Sequence, residues 1–119
     1  MIVKNTNDIP AFLAGDHTYI KEVLHPKNDA VDIQYSLAHA SLPINTTSLP
    51  HQLKSSEVYY ILKGIGKVFI NSETKNVKIG DMVFIPPYAT QSIQNTGDEP
   101  LEFLCVVHPE WRENEEIIL

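Results

Sequence analysis

Between Asn45 and Gly64 the chain reads N-T-T-S-L-P-H-Q-L-K-S-S-E-V-Y-Y-I-L-K-G, which sets the imidazole of His51 a short distance ahead of the carboxylate of Glu57. Neutral imidazole and carboxylate are good ligands for Zn, Fe, Mn or Ni. The same groups serve general acid–base chemistry when burial and neighbours tune their pKa values. Tyr59 has the strand parity of Glu57 and is expected to point into the same space, as an acid or as simple packing, while Tyr60 faces the other way. His39 shares its parity with Val31, Ile33, Tyr35 and Leu37 and reads as a packed residue of an apolar face. Cys105 shares parity with Leu101, Phe103 and Val107 and reads as a small buried hydrophobe, with no electropositive setting to activate a thiol. His17 and His25 lie in loop-like surroundings and are expected to face solvent. The acidic run Glu113, Glu115 and Glu116 reads as a solvated face.

The elements that must position these groups are strands. Val31 to Leu37 alternates apolar and polar residues, the period of a half-buried strand. Val58–Leu62 is apolar and stops at Lys63-Gly64-Ile65-Gly66, a turn signal. Val68 and Ile70 resume the pattern, and Asn71-Ser72-Glu73-Thr74 reads as a polar hairpin turn. The run Met82 to Ile85 ends at Pro86-Pro87, since proline removes a ladder donor. Gln91 to Gln94 and Leu101 to Val107 complete about eight strands from residue 19 to residue 107. No segment has a sustained helical period, although Trp111 to Glu116 has room for one helical turn. Short strands at this spacing predict an all-β sandwich or barrel.

With 119 residues, 43% of them hydrophobic, the chain is expected to fold as one domain spanning 1–119 with a real core. Its formal charge of −6, with scattered basic residues, excludes a general nucleic-acid binder. A single cysteine rules out an internal disulfide and points weakly to a reducing compartment. The start Met1-Ile2-Val3-Lys4-Asn5-Thr6-Asn7-Asp8 has no apolar signal region, and no run is long enough to span a membrane. A cytoplasmic location is therefore expected.

The residues around His51 and Gly80 resemble the two motifs of the cupins, in particular the small single-domain conserved-barrel cupins. The first motif is Gly, five residues, His-x-His, three or four residues, Glu, six residues, Gly. His51, Glu57 and Gly64 stand at the first His, the Glu and the closing Gly. The second motif is Gly, five residues, Pro-x-Gly, two residues, His, three residues, Asn. Gly80, Pro86 and Asn95 fall in register. The resemblance covers about residues 36–111, with motif one near 45–64 and motif two near 80–95. Three departures mark it: Leu53 replaces the second His, Gln91 replaces the His of motif two, and Asn45 and Tyr88 replace glycines.

The resemblance implies a double-stranded β-helix, or jelly-roll, barrel and a degenerate metal site. Its ligands would be His51, Glu57 and Gln91, with a divalent metal (Zn, Fe, Mn or Ni) as cofactor and Leu53 as an apolar wall. Glu57 and Tyr59 would be the catalytic residues of a metal-dependent isomerase, lyase or dioxygenase acting on a small-molecule ligand. Two alternatives stand beside this reading. One is a metal-free sugar-type isomerase or epimerase with His51 as base and Tyr59 as acid. The other is a non-catalytic metabolite sensor, in which the three polar residues satisfy one another. An ionised Glu57 in an apolar barrel would be costly. It must be neutralised by a metal, by protonated His51, or by taking up a proton. Related cupins also suggest a homodimer, with Tyr19 to Leu24 as the contact, and Trp111 as a lid over the barrel end.

Overall fold

A computed structural model describes residues 1–119. As expected from the strand signals, the architecture is all-β, two antiparallel sheets facing each other. One sheet has six strands in the order β1 (Phe12–Leu13), β2 (Tyr19–Leu24), β3 (Ser36–Leu42), β10 (Leu101–His108), β5 (Ser56–Lys63) and β8 (Met82–Ile85). The other has five, in the order β11 (Glu116–Ile118), β4 (His51–Leu53), β9 (Gln91–Asn95), β6 (Ile65–Ile70) and β7 (Glu73–Lys78). Two short 3-10 turns, Thr6–Asp8 and Glu113–Glu115, are the only helical pieces.

Alternation decides which side chains enter the barrel. On β5, Glu57, Tyr59 and Ile61 are buried, while Tyr60 and Leu62 are exposed. On β10, Leu101, Phe103, Cys105 and Val107 are buried. Tyr59, Ile61, Leu101, Phe103 and Cys105, together with Ala40, Leu42, Ile85 and Ile93, form one core between the sheets. Each large side chain removed from water here stabilises the fold by about 1.5–3 kcal/mol.

The turn backbone follows the motif spacing even where the residues depart from it. Gly64 and Gly80 have φ of 85° and 88°, and Asn45 and Tyr88, at the other two glycine positions, have φ of 60° and 66°. A Cβ on Gly64 would also meet the Pro100 carbonyl oxygen at 2.9 Å. The left-handed conformation strains a bulky residue such as Tyr88 by roughly 1–2 kcal/mol. Tyr88→Gly is therefore expected to stabilise the fold by up to about 1 kcal/mol, part of the relief being offset by a freer unfolded chain. Denaturant titration checks this, and a loss of stability would mean that the exposed Tyr88 ring packs usefully.

Three local expectations are corrected. Residues 31–35 form no strand, and β3 begins at Ser36 with the opposite face inward, so that Ala38, Ala40 and Leu42 meet the core side. His39 consequently points away from the barrel interior, where its Nε2 lies 3.2 Å from Glu102 Oε1. The chain end after Trp111 is a 3-10 turn followed by strand β11, which pairs with β4. The segment Tyr19–Leu24 pairs with β3 along its length and with β1 at Tyr19 and Ile20.

Candidate functional site

His51 opens β4 and sits directly across from Gln91 at the head of β9. Glu57 lies on the facing sheet, in register with Val107 of β10 and Ile85 of β8. All three are buried, as is Tyr59. The Tyr59 hydroxyl crosses between the sheets and donates to Gln91 Oε1 at 2.9 Å. Its ring leans on Phe103, centroids 4.7 Å apart. The structure thus gathers the motif positions at one end of the barrel. Gln91 lies one layer behind the cavity surface, with its amide oxygen already engaged.

In front of them is a cavity of about 80 Å³, walled by His51, Leu53, Glu57, Tyr59, Phe103 and Cys105 among others. This is room for a small molecule or several waters. Two walls were not expected from the sequence. Asp16 enters from the turn between β1 and β2, and Glu116 enters from β11. Ligand atoms of Asp16, His51 and Glu116 all lie within 4.8 Å of one another. Asp16 is placed because its own carbonyl accepts from Leu49 N at 2.8 Å, two residues before His51. Glu116 is placed by the β11–β4 ladder, which sets it opposite Leu53. Glu116 therefore departs from the solvated run to which the sequence assigns it, while Glu113 is exposed as expected. The sequence signal that could have found β11 is the apolar pair Ile117-Ile118 after the acidic run.

His25, expected at the surface, is buried at 5% exposure. Its Nδ1 accepts from Lys27 N at 3.0 Å and its Nε2 donates to the Trp111 carbonyl at 2.7 Å. Trp111 N in turn donates to Ser36 Oγ at 2.9 Å, and the ring borders the cavity.

Charge in the cavity is lopsided, with the carboxyl groups of Asp16, Glu22, Glu57 and Glu116 against the imidazoles of His25 and His51. Burial, followed by repulsion from Asp16 and Glu116, pushes Glu57 up to about 8. That shift favours the protonated form of Glu57 at neutral pH, with Gln91 and the Cys105 thiol as neighbours. Burial also pushes Tyr59 well above its ordinary value, and Cys105 likewise, each reinforced by Glu57. Glu116 is raised by burial, an effect that His51 opposes and Asp16 strengthens.

The donor set suits a divalent cation. His51 Nδ1 donates to the Leu49 carbonyl at 2.8 Å, which leaves Nε2 to face Asp16 and the cavity. Leu53, buried at the position of the usual second His, adds an apolar wall. Leu53→His puts a second imidazole on the face of His51. It is expected to tighten Zn binding by roughly tenfold or more. Calorimetric titration of both folded proteins decides it, and equal affinities would mean that position 53 no longer faces the ion.

Comparison with known proteins bears on the family and the fold. The family model described as "Cupin domain" matches residues 38–107. An uncharacterised protein of Methanocaldococcus jannaschii is 37% identical over 99% of this chain and 95% of its own length. The oxalate-binding protein of Thermotoga maritima is 34% identical over 76% of this chain and 71% of its own. Among solved structures, a predicted oxalate decarboxylase from Thermotoga maritima superposes with a TM-score of 0.80 at 25% identity, covering 91% of this chain and 99% of that one. Oxalate decarboxylase from Bacillus subtilis gives 0.82 at 24% identity, covering all of this chain (100%) and 33% of that one, a likeness of fold. The motif spacing, the two-sheet barrel and the match across its strands make this chain a member of the cupin family.

Proposed function

We propose that the barrel binds a small carboxylate molecule beside a divalent cation held at His51. The observation that carries this reading is the cavity that His51, Glu57, Asp16 and Glu116 all line. An anionic ligand would be repelled by Asp16 and Glu116 unless a cation stood between them. The likeness to the oxalate-binding protein of Thermotoga maritima makes oxalate the first compound to try. Glu57 is the group we assign to proton exchange with the ligand, because its value of about 8 lies near working pH. Tyr59 holds Gln91 in place by donating to its amide oxygen. A bound cation would supply Lewis-acid character and open coordination positions.

A cation-free sugar isomerase has one point in its favour. The glucose-6-phosphate isomerase of Thermococcus onnurineus is 28% identical over 77% of this chain, although that match spans only 47% of the isomerase. Against it, the Tyr59 proton is committed to Gln91 and burial makes the phenol a weak acid.

Thermal denaturation with Mn²⁺, with oxalate, and with both tests the main proposal. Saturation at one hundred times Kd adds about 2.7 kcal/mol of stability. We expect oxalate to stabilise the protein only when the cation is present. Stabilisation by oxalate alone, or by neither component, would sink the reading.

We also propose a homodimer. The outer face of the six-stranded sheet exposes Tyr60, Met82 and Phe84 at 46%, 60% and 57%, with Val58 and Val106 alongside. Apolar residues on both faces of a strand call for cover on both sides. This moves the contact from Tyr19–Leu24 toward the centre of the sheet. Light scattering at micromolar concentration should report twice the chain mass for the protein. Phe84→Glu should report one chain.

A further inference from the structure

Two of the cavity's acidic groups come from outside both sequence motifs, one from each end of the chain. We propose that this chain holds its divalent cation between Asp16 Oδ2, His51 Nε2 and a Glu116 carboxylate oxygen, and that the cation fastens the C-terminal strand over the barrel. The inference rests on the reading that a cation binds at His51, and it names which side chains share it.

The three ligand atoms lie within 4.8 Å of one another, and His51 Nε2 is 3.6 Å from Asp16 Oδ2. Ligand atoms around an ion at 2.0–2.2 Å stand about 3–4 Å apart, so a small inward movement completes the set. A second observation points to a ligand independently. His51 is 3% exposed, yet its Nε2 makes no hydrogen bond, the contact to Asp16 being too long for one.

Each candidate ligand is also held by its other atom. His51 Nδ1 donates to the Leu49 carbonyl at 2.8 Å. Asp16 Oδ1 accepts from Thr18 N at 3.1 Å and from Thr18 Oγ1 at 2.7 Å. Glu116 Oε2 accepts from Trp111 Nε1 at 3.2 Å. Such outer partners fix the orientation of ligating side chains and leave the inner atoms to the ion. One imidazole with two carboxylates suits Zn, Mn, Fe or Ni.

Charge gives the consequence for the tail. The Asp16 and Glu116 carboxylates repel one another when nothing lies between them, and a doubly charged ion removes that repulsion. β11 has only three residues paired to β4, so its seat depends on what Glu116 meets. Cation binding should therefore tighten residues 111–119 against the barrel.

The experiment uses the full chain, stripped with chelator and titrated calorimetrically with Zn²⁺ alone. Asp16→Asn and Glu116→Gln should each weaken binding by about tenfold or more, the scale on which lost ligands and their supports act. Glu99→Gln, exposed and outside the cavity, should leave it within a few-fold. Trp111 is the sole tryptophan, so its emission should shift on Zn²⁺ addition to the wild type. Tryptic cleavage after the exposed Arg112 should slow at the same concentrations. The fluorescence and cleavage readouts need no variant to fold. Failure of the wild type to bind any Zn²⁺ would overturn the cation reading itself. Binding that Asp16→Asn and Glu116→Gln leave intact, with Trp111 emission and cleavage unmoved, would overturn this ligand set while leaving a cation at His51.

Discussion

Glu57→Gln is expected to make the cation-free protein more stable at pH 8 and to leave it unchanged at pH 4.5. The unfolded carboxyl titrates near 4.5, whereas burial holds the folded one at about 8. Between those values the folded chain keeps a proton that the unfolded chain has lost. Stability due to Glu57 is therefore complete below 4.5, falls as the pH rises, and levels off above about 8. At about 1.4 kcal/mol per unit, a window from 4.5 to about 8 bounds the loss at roughly 5 kcal/mol. Glutamine carries no such penalty and still offers a hydrogen-bond donor. Unfolding midpoints of the two proteins, measured in chelator across this range, should diverge steadily with pH. A difference that stays constant with pH would show that Glu57 is ionised throughout.

Phe103→Ala should cost about 3–5 kcal/mol, the usual toll for emptying a buried aromatic site. Phe103 is 1% exposed and lies between Ala40 on β3 and Ile61 on β5. Its ring supports Tyr59, at 51° between planes, so the space left would also let the tyrosine tilt away from Gln91. Phe103→Leu, which keeps most of the volume, should cost less than half as much. Denaturant midpoints separate the two variants. A loss below about 1 kcal/mol for the alanine protein would mean that the sheets close over the gap.

The strands that read correctly in the sequence are those whose pattern is set by one buried face. Glu57 to Ile61 and Leu101 to Val107 alternate because one side of each meets the core. Val31 to Tyr35 alternates as well, yet forms no strand, because no neighbouring strand pairs with it. Pairing is a long-range fact that a local pattern does not carry. The same reason hid Asp16 and Glu116. Asp16 reaches the cavity only because the chain around Leu49 binds its carbonyl, and Glu116 only because β11 returns to β4. His25 was misread for want of the Trp111 carbonyl, which lies far away in sequence. The motif positions were legible because their backbone geometry persisted: Asn45 and Tyr88 adopt the left-handed turns that glycines would fill.

The free margins of the two sheets bear on colloidal behaviour. β7 ends its sheet with Glu73, Thr74, Lys75, Asn76 and Lys78 all exposed. β8, at the margin of the other sheet, has four residues and is cut short by Pro86-Pro87. A fibril grows when copies dock strand to strand along such margins. Of the four margins, β7 presents charge, β8 is stopped by proline, and β1 and β11 have only two and three residues. The native protein is thus guarded against polymerising along its backbone, and copies that meet are steered to associate through side chains.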